Sequence, residues 1–179
     1  MKLYRLLFLF LFAFAFQAKA QDDAIQKFFS NYMEDDRFAR VYISPKMMQM
    51  AGGFLKANAN PDDPESKEVG SVISKIRGIR ILSSDEVNGL EYYTKAMATL
   101  TKNKYEELMD VQDKGSKLKF MVREEGGLIK ELLMISGDNE GDFTLLSMLG
   151  DFTYEDLNLL AETTEIPGMD QYRKGSKLP

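Results

Sequence analysis

Residues 136 to 142 read SGDNEGD, a run of carboxylate and amide oxygens around two glycines that has the composition of a calcium loop. An EF-hand loop needs oxygen ligands at alternating positions, glycine at the sixth and a bidentate glutamate at the twelfth. Counted from Asp138, those two positions hold Phe143 and Leu149, and the flanks read as strands. A turn is therefore expected, with Gly137 or Gly141 supplying a left-handed or tight backbone position.

Little other site chemistry is open to this chain, which has no histidine, cysteine or tryptophan. A serine-histidine triad and a thiol nucleophile are excluded, and zinc, haem and redox copper lose their usual imidazole and thiolate ligands. No S-x-x-K, G-x-S-x-G, P-loop or dinucleotide fingerprint is present. Thr99-Leu100-Thr101-Lys102 sets hydroxyl and amine three apart, but at the end of a charged helix. Met47, Met48 and Met50 carry thioethers that suit Cu(I). Met47 and Met50 share an apolar helical stripe with Ala51, Phe54 and Leu55, so core packing is the expected role of that stripe. No catalytic residue, cofactor-binding residue, metal ligand or cofactor is expected.

Charge points to partners more than to reactions. The chain opens MKLYRLLFLFLFAFAFQAKAQDD, with Lys2 and Arg5 before an apolar run that is too short to span a bilayer, then Ala18-Lys19-Ala20 in a small-x-small pattern. Residues 1–20 are expected to be a cleavable secretory signal, and the protein periplasmic or otherwise exported with no stable membrane span. Removing Lys2, Arg5 and Lys19 from 23 basic residues leaves 20 against 28 acidic, a balance of −8. That excess argues against a nucleic-acid partner, whose phosphates call for clustered lysine and arginine. From Glu131 through Asp170 there are ten acidic residues and no lysine or arginine. The expectation is a solvated acidic face; the alternative is a surface for a basic partner or a weakly held divalent cation.

The elements that would position such a surface follow from periodicity. Ile25, Phe28, Phe29, Tyr32 and Met33 mark one face of a first helix, and RFARVYIS reads as a strand. Ser44-Pro45 reads as a cap and first turn, and Gly52-Gly53 inside the helix it starts points to close helix packing or a local break. NANPDDPES is the clearest loop; Pro64 opens a helix carrying Val69, Val72, Ile73 and Ile76, which Gly78 is expected to end before a short strand over 79–82. Ser83 with Glu86 resembles a capping box for a helix buried through Val87, Leu90, Tyr93, Met97 and Leu100. YEELMDV, KLKFMVR, GLIKELLMIS and DFTLLSML, split by short turns, predict an antiparallel meander. Thr153 with Asp156 predicts a last capped helix.

The predicted order is α-β-α-α-β-α-β-β-β-β-α: one α+β domain over 21–168, with helices packed on one face of a mainly antiparallel β-sheet, and a flexible tail over 169–179. Leu128, Leu132 and Met134 are expected on one side of their strand, with Ile129, Leu133 and Ile135 on the other. Phe143, Leu145 and Leu149 are expected to oppose Leu146 and Met148 on the next. Strands apolar on both faces belong in the centre of a sheet, covered on both sides for part of their length, with the amino-terminal helix, a partner protein, another subunit or an apolar ligand as the second cover. Ile129, Leu133, Ile135, Leu146 and Met148 are the candidate interaction surface.

The leader ending AQDD, the stretches RFARVYISPKMM and YEELMDV, and KLKFMVREEGGLIKELLMISG followed by FTLLSMLGDF resemble the exported Bacteroidetes family classed as a domain of unknown function, number four-two-five-two. The resemblance implies an envelope protein, often a lipoprotein, without an established activity. Gln21 holds the place of the lipid-modified cysteine, which argues for an untethered exported form. The expected function is a non-catalytic periplasmic or cell-envelope binding protein, its partner an envelope protein or an apolar ligand. The alternatives are a carboxylate-dependent envelope enzyme and a structural homo-oligomeric envelope protein.

Overall fold

The computed structural model describes residues 23–59, 64–100 and 104–163. The expected leader over 1–20, the tail over 169–179 and Thr101-Lys102 lie outside the described residues. Element order is as the periodicity predicts: α1 (Asp23–Ser30), β1 (Ala39–Ile43), α2 (Pro45–Ala57), α3 (Pro64–Lys75), β2 (Ile76–Ser84), α4 (Gly89–Leu100), β3 (Glu106–Asp113), β4 (Ser116–Glu125), β5 (Leu128–Asp138), β6 (Phe143–Phe152) and α5 (Tyr154–Thr163). The six strands form one antiparallel sheet in the order β1-β2-β6-β5-β4-β3. After β2 the chain crosses through α4 to the far edge and returns by a meander, so β5 and β6 take the central places that their two-sided apolarity calls for.

Local chemistry sets several boundaries. The Ser44 side chain accepts from Met47 N at 3.3 Å, with Pro45 in the first turn of α2. The α5 capping box is reciprocal: Thr153 N donates to Asp156 Oδ2 at 2.8 Å and Asp156 N to Thr153 Oγ1 at 3.2 Å. The Ser83 box is not formed, because Ser83 and Ser84 belong to β2 and Asn88 caps α4 by accepting from Glu91 N at 3.0 Å. Nor does Gly78 end α3. The helix stops at Lys75 and β2 begins at Ile76, pairing on both sides with β1 and β6, so Gly78 sits inside a strand longer than the expected 79–82.

Helices cover both faces of the sheet, where one covered face was expected. On the first face α1 and α4 pack Ile25, Phe28, Tyr92, Tyr93, Ala96 and Leu100 against Leu82, Leu133, Ile135, Phe143 and Leu145. The Phe38 and Tyr92 rings lie 5.2 Å apart, and Tyr92 lies 5.8 Å from Phe143. On the second face α2, α3 and α5 pack Met48, Val72, Leu157 and Leu160 against Ile76, Ile79, Val122, Ile129, Leu132, Met148 and Phe152. Each large side chain taken fully from water contributes about 1.5–3 kcal/mol, so closing both faces is the main source of stability.

Two side-chain directions differ from expectation. A register shift between Ile129 and Glu131 turns Ile129 to the second face, away from Leu133 and Ile135. Helix α2 presents the opposite side to the one its stripe implies: Met48 and Gly52 are buried, while Met47, Met50 and Phe54 are 59%, 60% and 68% exposed. The reason is the α2/α3 contact, where a Cβ on Gly52 would lie 2.6 Å from the Gly70 carbonyl oxygen. Only glycine lets the two backbones approach so closely, and that approach fixes the rotation of α2.

Candidate functional site

The acidic turn is engaged with itself. Asp138 Oδ1 accepts from the backbone N–H of Glu140, Gly141 and Asp142 at 2.9, 3.0 and 2.9 Å. Gly141 supplies the left-handed backbone, at φ +122°, and Gly137 packs directly on Gly89. These contacts make a β5–β6 turn, and no cluster of three or more metal-ligating side chains occurs among the described residues.

A buried polar network lies on the first face at the start of β5. Glu131, 2% exposed, accepts the Ser147 hydroxyl at 2.6 Å and the Tyr105 hydroxyl at 2.7 Å, and Arg123 Nη2 lies 3.5 Å from its Oε2. Burial, then the Glu131 charge and hydrogen bond, push the Tyr105 phenol far above its ordinary value. Ser147 is completely buried and both Glu131 oxygens are occupied, so the network serves as an internal brace. A second buried carboxylate, Asp156, is held by Lys75 Nζ at 2.8 and 2.7 Å and by its helix cap. Burial works against its ionised form, but Lys75 and the Thr153 N–H outweigh that and hold its carboxyl below the usual range. Neither carboxylate offers an acid-base pair.

The five side chains expected as an interaction surface are buried, or in the case of Leu146 half-buried. Ile129, Leu133 and Ile135 are at most 1% exposed, and Met148 is buried. They are also split between faces, with Leu133 and Ile135 in the first core and Ile129, Met148 and the half-buried Leu146 in the second. Internal helices cover both faces, the amino-terminal α1 among them.

An incomplete cover does remain beside them. The registers align Ile43, Ile79, Met148, Leu132, Val122 and Glu106 in one row across the second face, and all of these but Glu106 lie in the helix-covered core. The next row is Val41, Ile81, Leu146, Met134, Phe120 and Met109, apolar across all six strands. Of these only Leu146 joins the core; Val41 is 46% exposed and the others are half-buried. The row beyond is Ala39, Ser83, Thr144, Ser136, Leu118 and Val111. The helices therefore close one end of this face and leave an apolar band across the other.

The two faces differ in the basic side chains that their strands carry. No lysine or arginine occupies any of those three rows, and carboxylates flank the band, with Glu106 and Glu124 toward one end of β3 and β4 and Asp113 toward the other. The first face carries Arg40, Arg80, Lys119 and Arg123. Hydrogen bonds to Asp110 and Glu107, at 2.8 and 2.6 Å, hold the Lys119 ammonium above its ordinary range. The alternation of KLKFMVR placed Phe120 on a shared side with Leu118 and Val122. The row itself depends on strand order, which no local pattern encodes.

A family model described as Domain of unknown function (DUF4252) matches residues 32–160, from just after α1 into α5. No curated protein and no solved structure matches the chain. No helix among the described residues is long and apolar enough to cross a membrane.

Proposed function

The chain belongs to the family described as Domain of unknown function (DUF4252), and on that premise we propose that it is a non-catalytic binding protein of the periplasm or cell envelope. The observation that carries this reading is the half-open band Val41, Ile81, Leu146, Met134, Phe120 and Met109. A contiguous apolar strip bordered by charge has the character of a contact surface. The two buried carboxylates favour binding over carboxylate catalysis, since both are engaged in interior hydrogen bonds. The compartment rests on the signal-like residues 1–20.

The test is binding of an apolar fluorescent dye to the folded protein at nanomolar concentration, where self-association is dissolved. Wild type is expected to bind dye, and Phe120→Glu to lose most of the signal while keeping its circular dichroism. Equal dye binding by the two proteins, or none by either, would overturn the proposal.

A further inference from the structure

Large apolar side chains left exposed on this molecule gather at one edge of the sheet. Among the described residues there are eight, and five of them, Val41, Tyr42, Met47, Met50 and Phe54, belong to β1 and α2. Strand β1 is one of the two sheet edges. Helix α2 packs on β2 and α3, and α3 in turn on β6 and α5, so α2 is the outermost helix of the second face on the β1 side. Its Gly52 faces α3, and Phe54 stands two residues on, about 200° round the helix. Met47 and Met50 share that side, so all three are turned away from α3 and outward at the β1 edge. The opposite edge is built differently. Strand β3 carries Glu106, Glu107, Asp110 and Asp113 and a register shift at Leu108, devices that stop an edge from pairing with another chain. Strand β1 has no carboxylate and no proline, and its register with β2 runs without a shift.

We propose that β1 pairs antiparallel with β1 of a second copy of this chain, about a two-fold axis at Val41, joining two six-stranded sheets edge to edge. The pairing stands apart from the binding reading, since it rests on the strand edge. The sequence ARVYI selects this occupant because it complements itself. Centred on Val41, the register sets Ala39 opposite Ile43 and Val41 opposite Val41 on the second face, and Arg40 opposite Tyr42 on the first. The Arg40–Tyr42 pair forms twice, a guanidinium beside an aromatic ring. A register centred on Arg40 would set two guanidiniums face to face, and one centred on Tyr42 would set Arg40 and Ala39 opposite Ser44 and Pro45, beyond the strand. The same alignment carries exposed Glu34 and Asp36, ahead of β1, toward Lys46 at the start of the second copy's α2. The outward side of each α2 then faces the other copy beside the joined strands.

The experiment uses the absence of cysteine from this chain. Val41→Cys sets one thiol directly opposite its counterpart in the second copy, and mild oxidation at micromolar concentration is expected to give a covalent dimer. Leu108→Cys on β3 is the control, equally exposed at 46%, and should crosslink only at the slow rate of chance collision. Sedimentation equilibrium of wild type from nanomolar to micromolar concentration should show dimer formation. Tyr42→Lys, which sets like charge opposite Arg40 of the second copy at two places, should weaken it about tenfold, whereas Tyr42→Glu should retain it through an ion pair. Tyr42 is 64% exposed, so both variants keep the fold. A wild type that stays monomeric throughout overturns the proposal, and so does equal crosslinking of the two cysteine variants. A dimer that Tyr42→Lys and Tyr42→Glu weaken alike overturns the register centred on Val41.

Discussion

Replacing Gly52 by alanine places a Cβ 2.6 Å from the Gly70 carbonyl oxygen and 2.8 Å from Ser74 N, both backbone atoms that cannot swing aside. The same change one residue later, at Gly53, meets nothing within 4 Å. Both positions lie inside α2, so each substitution gains the same helix propensity, about 1 kcal/mol. The difference between the two variants is therefore the steric term alone. Parting α2 from α3, together with strain on the Ser74 hydroxyl bond to Gly70 O at 2.8 Å, places that term in the overpacking range of about 1–3 kcal/mol. Gly53→Ala should stabilise the protein by about 1 kcal/mol, while Gly52→Ala should be neutral or destabilising by up to about 2 kcal/mol. Equilibrium urea unfolding reads the difference directly. At a slope of about 2 kcal/mol per M the two midpoints separate by about 0.5–1.5 M, Gly53→Ala being the higher. A Gly52→Ala midpoint equal to or above that of Gly53→Ala would refute the close crossing, and with it the reason that the Met47, Met50 and Phe54 side of α2 faces solvent.

Tyr105→Phe and Ser147→Ala each strip one hydrogen bond from buried Glu131 and should cost about 1–3 kcal/mol in urea unfolding, with the double variant departing from additivity because both act on one acceptor. Since the folded state raises the Tyr105 phenol pKa, the stability it lends is complete below the unfolded value of about 10 and declines as pH rises toward the folded value. Alkaline thermal denaturation of wild type should thus be steeper in pH than that of Tyr105→Phe; identical profiles would count against the Tyr105 contact. Asp156 works in the opposite direction: its lowered pKa stabilises the fold above the unfolded carboxyl range near 4, and the contribution is lost as pH falls through the folded value. Asp156→Asn should flatten melting temperature against pH on the acid side, an effect absent if Lys75 and the cap do not hold the ionised form. Asp138→Ala unmakes the turn's shared acceptor and should cost about 1–2 kcal/mol, whereas calcium should leave the wild-type melting temperature unchanged.

Local rules determined much of this protein before any tertiary contact was considered. Element order followed from hydrophobic period, the starts of α2 and α5 from Ser44-Pro45 and Thr153 with Asp156, and the acidic turn from glycine spacing. Each depends on atoms a few residues apart, so the chain near a position settles the matter. The central placement of β5 and β6 was legible for a related reason: side chains apolar on both sides of a strand need cover on both. Only the tertiary structure decided which side of α2 is buried, because Gly70 and Ser74 of another helix set its rotation against the apolar stripe. It alone turned Ile129 across the sheet, through a register shift between paired strands. It alone brought Tyr105 and Ser147 to Glu131 from 26 and 16 residues away, and aligned Val41, Ile81 and Met109 across strands whose order departs from the chain. The band and the exposed side of α2 arise from such long-range contacts, where packing between distant segments overrides local periodicity, and that is why the candidate binding surface shares only Leu146 with the residues the sequence suggested.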